Sequence, residues 1–151
     1  MRNFTVILVV FLCCATAMAA DFAGIWKLDL KKSKMRSADI TAETMTIEKT
    51  GPNSYRTSVD VTYSSGQTFH AARDRVCDGK ERPVSGADTA ASGNETETCE
   101  IAPGGGRTII QKRDGQVIAT ITSKLSANGK SMNNTRSNPD GEDVMVFDRQ
   151  K

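Results

Sequence analysis

The sequence is poor in the residues that most active sites need. Its 151 residues contain one histidine, one tryptophan, two tyrosines and five phenylalanines. A lone histidine, His70, leaves no second ligand pair at a spacing suited to a Cys/His metal centre, so no metal is expected. Catalysis by His70 would also need an orienting carboxylate and a nucleophile, and the strand pattern turns it away from Phe69 toward the outside. No enzyme activity and no cofactor are expected. Nucleic-acid binding calls for a basic face interleaved with aromatics. Here the charges are mixed, and the one basic cluster, Lys31-Lys32-Ser33-Lys34, reads as a solvated loop. The glycine run Gly104-Gly105-Gly106 has no lysine-bearing or helix-opening context, so it reads as a turn rather than a phosphate cradle. Long apolar runs and helical periodicity are missing too, which predicts little helix.

The first apolar stretch, Val6–Leu12, is too short to span a bilayer as a helix. It follows the positive Arg2 and precedes the small-x-small site Ala17-Met18-Ala19, the pattern of a cleaved export signal over residues 1–19. Cleavage there leaves one domain, residues 20–151, with no integral membrane segment, in the periplasm or secreted. It also leaves 19 Lys+Arg against 18 Asp+Glu, because only Arg2 of the 20 basic residues is lost. Two cysteines remain, Cys77 and Cys99. In an exported chain they predict one disulfide, adding roughly 3 kcal/mol in the chain-entropy model.

What the sequence does have is alternation. In Gly24-Ile25-Trp26-Lys27-Leu28-Asp29-Leu30, residues Trp26, Leu28 and Leu30 share one face of an extended segment. Ser54 to Tyr63 puts Tyr55, Thr57, Val59, Val61 and Tyr63 on one face. Gln67 to Cys77 reads as its return strand. Lys31 to Thr41 reads as a helical turn or a loop, and Arg82 to Gly93 as a short edge strand and a surface loop. From Arg107 onward, Asp114-Gly115, Asn128-Gly129 and Asn138-Pro139-Asp140-Gly141 punctuate a meander of strands. Lys130 to Ser137 is polar and reads as an edge. Glu95 and Glu97 share a face and, with Glu100 and Asp88, read as a solvated acidic edge. The total is eight to ten short strands: an all-β, antiparallel up-and-down barrel, whose closure would remove exposed edges.

Gly24-Ile25-Trp26-Lys27-Leu28, followed by Lys32-Ser33-Lys34, resembles the Gly-x-Trp opening of the calycins, that is, lipocalins and intracellular fatty-acid-binding proteins. Val146-Phe147-Asp148-Arg149-Gln150 resembles the last strand of the fatty-acid-binding proteins. Both ends, with the turn Asp78-Gly79-Lys80, are similar to small exported bacterial proteins of unknown function that open on Gly-x-Trp-Lys-Leu. The resemblance implies a lipocalin-like barrel with Trp26 across its floor and Arg149 over the ring, a structural cation–π pair. Two departures stand out. Met145 and Phe147 occupy the positions where many fatty-acid-binding proteins carry a carboxylate-holding arginine and tyrosine. Lys31 to Thr41 is also too short for the helical lid of that family.

The resulting expectation is a binding module for a small apolar molecule, lined by Tyr55, Tyr63, Met145 and Phe147. With no arginine clamp and no titrating group in the site, its affinity is expected to change little between about pH 6 and 8. The alternative is a filled barrel serving as a structural or protein-interaction module of the cell envelope. The oligomeric state stays open.

Overall fold

The computed structural model describes residues 21–86 and 94–151; the export signal expected over 1–19, and Asp88, lie outside them. Ten strands follow in chain order: β1 Gly24–Leu28, β2 Ile40–Lys49, β3 Ser54–Tyr63, β4 Thr68–Val76, β5 Glu81–Pro83, β6 Glu95–Ile101, β7 Arg107–Arg113, β8 Gln116–Leu125, β9 Ser131–Asn138 and β10 Gly141–Arg149. They form one antiparallel sheet ordered β4-β3-β2-β1-β10-β9-β8-β7-β6-β5, with no helix among the described residues. Strands adjacent in sequence are adjacent in the sheet, except that β4 and β5 stand at its two ends. The sheet curls into a barrel, joined through β1 and β10 in the register Trp26↔Arg149 and Leu28↔Phe147.

Tight turns allow this meander. Asp114 (φ 50°) and Gly115 (φ 78°) are both left-handed, as a two-residue hairpin that matches strand twist requires. Strand alternation then divides each segment between an inner and an outer face.

The closed end is packed around Trp26, Phe22 and Phe147, all fully buried, with Ile47 and Met132 beside them. The Trp26 indole N–H donates to the Phe22 carbonyl at 3.0 Å. The Arg149 guanidinium lies 4.3 Å from the Trp26 ring centroid and donates to the carbonyls of Asp21 (2.7 Å), Ala23 (2.8 Å) and Gly129 (2.9 Å). One cation thus seals the floor and ties the N-terminal segment to the last strand. Gly24 leaves room for it: a Cβ there would lie 3.2 Å from Arg149 Nη1, at a φ of +142° that side chains rarely adopt. Burying an aromatic of this size removes about 150–250 Å² from water, worth about 4–6 kcal/mol before entropy at 25 cal/mol per Å².

Lys31–Thr41 is largely loop, one of the two forms expected of it: the Ser33 N–H donates to the Asp29 carbonyl at 3.1 Å in a single turn, and the Lys34 N–H donates to the Val144 carbonyl at 2.7 Å. Two sequence expectations change here. Strand β9 is not an edge but lies between β8 and β10. It is polar because part of what it faces inside is polar. Finally, no ladder closes the sheet between β4 and β5. Among the described residues, the Asp74–Ser85 bridge, the Cys77–Cys99 disulfide and the ion pairs of Arg73 and Arg75 with Glu95 and Glu97 span that gap. Gly86 permits the approach, since a Cβ there would sit 2.3 Å from the Ala72 carbonyl oxygen.

Candidate functional site

The barrel holds a partly open cavity of about 430 Å³. This is within the size range of small-molecule sites. Its middle is apolar, lined by Met45, Val59, Ile109, Ile121 and Met145, with the half-exposed Phe69 on the same lining.

The remaining lining is more highly charged than the sequence suggests: alternation places Arg73 and Arg75 on the same face of β4 as Phe69 and Ala71. Beside this lining, alternation places Glu95 and Glu97 on the same face of β6 as Cys99. Glu95 and Glu97 are buried inside, not on a solvated edge. Arginines from other strands balance them. Arg75 Nε lies 3.0 Å from Glu97, Arg113 Nη2 lies 2.6 Å from Glu95, and Arg73 lies 3.8 and 3.9 Å from the two carboxylates.

Arg107 on β7 has no carboxylate at ion-pair distance among the described residues, and Glu97 acts on it only through space. It is 2 % exposed, its guanidinium stacks 4.9 Å from the Phe22 ring centroid, and Nη2 donates to Ser123 Oγ at 3.4 Å. Nε and Nη1 find no hydrogen-bond partner among the described residues. Burial, aided by the neighbouring Arg75 charge, lowers its pKa to about 10, so it stays protonated at neutral pH. The register continues this polar row around the wall: Arg107 pairs with Ser123, Ser123 with Asn134, and Asn134 with Met145. Asn134 Oδ1 is likewise buried without a partner. Unpaired buried donors and acceptors cost about 1–3 kcal/mol each, more for a charge.

A second ionisable group faces the cavity from β2. Burial raises the pKa of Glu43 to about 7, against a weaker opposing pull from Arg136. The expectation of a site without a titrating group is therefore corrected. The alternation that brings Met45 and Ile47 inward brings Glu43 inward with them.

Of the residues expected to line the site, Tyr63 and Met145 do so. Tyr55 and Phe147 are instead buried in the packed core below, with Leu28, Ile47 and Met132. Met145 and Phe147 carry no clamp, as the sequence indicates, but a buried arginine comes from β7 instead. Its signal was present: Arg107, Ile109 and Gln111 share one face of a strand read only for its hairpin. His70 is on the outer face, half exposed, with Nδ1 2.7 Å from Asp60 Oδ1.

Neither a protein-family model nor a curated protein sequence matches the chain. Solved structures do match it in fold. A Schistosoma mansoni fatty-acid-binding protein in complex with arachidonic acid aligns with a TM-score of 0.62 at 16% identity, covering 89% of this chain and 100% of that one. The fluorescent protein UnaG aligns at 0.62 and 14%, over 88% and 100%. Human cRBP IV aligns at 0.59 and 15%, over 87% and 99%. The chain therefore has the calycin fold in the form that fatty-acid-binding proteins share.

Proposed function

We propose that the chain is a binding protein, not an enzyme, and that its lumen takes up a small, largely apolar molecule whose acidic group lies against Arg107. The observation that carries this reading is the charge on Arg107, deep in the barrel with two donor nitrogens unpartnered among the described residues. An ionised carboxylate or a similar anion is the group that would satisfy a guanidinium there, with the Asn134 amide close along the same row. The apolar belt above supplies the remaining affinity through burial, at about 25 cal/mol per Å² before the costs of association. The fold neighbours that hold fatty acids support the class of ligand. The disulfide and the signal-like pattern of residues 1–19 support an exported carrier.

The test is displacement of a fluorescent long-chain acid. Wild type is expected to bind it, and Arg107→Leu to bind at least tenfold more weakly, while the corresponding alcohol loses little. Equal binding of the acid by both proteins would remove Arg107 from the site.

A further inference from the structure

Glu43 is the one buried carboxylate of the lumen that the reading above leaves unused. It is 7 % exposed and lines the cavity. Its contrast with the other inward acids is sharp. Glu95 and Glu97 have arginines within 2.6 and 3.0 Å, whereas Glu43 has no ion pair or hydrogen bond among the described residues. The other charged groups on the cavity lining are Arg136 on β9, Asp143 on β10, held by Arg36 at 2.9 Å, Arg73 and Arg75 on β4, and Arg107 on β7; Val61, the partner of Glu43 on β3, is apolar. Arg136 influences it only through space.

Glu43 and Arg107 occupy different levels of the barrel. Arg107 stacks on Phe22 at the floor. On β2, Met45 is level with Trp26, and Glu43 stands one inward step, about 7 Å, farther from the floor. The apolar side chains of Met45, Val59, Ile109, Ile121 and Met145 line the lumen that both share. Two polar groups of opposite character, Arg107 and Glu43, on one cavity with an apolar middle suit a ligand that is polar at both ends. An acid group does not belong at Glu43, because two carboxyls would meet there. A hydroxyl or an amine does, since Glu43 accepts a hydrogen bond in either protonation state.

We propose that Glu43 is a second anchor of the lumen, receiving a hydroxyl or amine carried by the ligand at a distance from its acidic group. This rests on the reading of Arg107 as the acid's anchor. A carrier built this way discriminates against a plain fatty acid, which leaves Glu43 buried and unpaired.

The experiment uses the purified chain and a ladder of straight-chain acids of increasing length, each compared with its terminal hydroxy and amino counterparts by calorimetry. At one chain length, a terminally substituted acid is expected to bind roughly tenfold or more tightly than the plain acid. Glu43→Leu is expected to abolish that preference, and Glu43→Gln, which keeps an acceptor, to retain part of it. An amine gains affinity as pH rises through 7 and Glu43 ionises; a hydroxyl does not, which separates the two chemistries. Thermal melting of both variants checks that they fold. Plain acids that bind as well as their substituted counterparts, or a preference that survives in Glu43→Leu, overturn the second anchor and leave the Arg107 reading intact. No binding of any acid overturns both.

Discussion

Single side chains set the chemistry of this lumen, and Glu43 has a consequence for stability as well as for binding. Its folded pKa, about 7, lies above the roughly 4.3 of an unfolded chain. The fold therefore favours the neutral carboxyl. Below about pH 4 both states are protonated and Glu43 contributes no penalty. Between about pH 4 and 7 the unfolded chain releases its proton first, so stability falls as pH rises, by up to a few kcal/mol, and then levels off. Glu43→Gln removes this slope. The variant is expected to match wild type at pH 4 and to exceed it at pH 8 in urea titrations; coincident curves at both pH values would show that Glu43 is solvated. Arg107 behaves differently, because it keeps its charge at neutral pH despite burial. With Nε and Nη1 unpartnered among the described residues, it costs stability that a bound anion would restore. Arg107→Leu should accordingly raise the unfolding midpoint of the ligand-free protein while weakening acid binding.

At the scale of elements, the weak line is the seam between β4 and β5. Elsewhere each strand has hydrogen-bonded neighbours on both sides, whereas here, among the described residues, one backbone bridge, the Cys77–Cys99 disulfide and the ion pairs of Arg73 and Arg75 join the two ends of the sheet. The bond clips the residue after β4 to the middle of β6 across 22 positions of sequence. Replacing both cysteines by serine is expected to cost about 3 kcal/mol. The loss should not be uniform. Hydrogen exchange should quicken first at the free edge of β4 and in the three-residue β5, while β8, β9 and β10 keep their protection. Uniform loss of protection would mean that the disulfide acts on the unfolded chain alone. The polar character of β9 also belongs to this scale. Asn134 and Arg136 point into the lumen from a central strand, and the pattern that made β9 look like an edge comes from a partly polar interior.

For the whole molecule, the floor depends on residues that follow closely after the expected cleavage site. Asp21, Phe22 and Ala23 are held by Arg149 and Trp26, and Phe22 underlies Arg107. The mature protein should begin near Ala20, which intact mass spectrometry of the exported protein checks; a retained Met1 would contradict it. Phe22→Ala is expected to cost about 3–5 kcal/mol. It should also weaken acid binding, because Arg107 loses the ring that holds its plane. Full acid affinity in Phe22→Ala would separate the floor from the site.

The sequence by itself determined the strands, the hairpins at Asp114-Gly115 and Asn128-Gly129, and the cysteine pair; the floor pair Trp26 and Arg149 came from the resemblance of the two ends to the calycins. The former are local signals: period-two alternation, residues that accept left-handed backbone, and two cysteines outside the expected export signal. Tertiary structure decided what the inside contains. Alternation says that Arg107 shares a face with Ile109, and Glu43 with Met45, but not that each face closes over a shared cavity. Whether a charge is solvated or buried depends on strands far apart in the chain: Arg75 finds Glu97 across the seam, and Arg107 meets Phe22 and Ser123. That balance is a property of the closed sheet, because the dielectric surroundings and partners of a side chain exist only once all ten strands are in place.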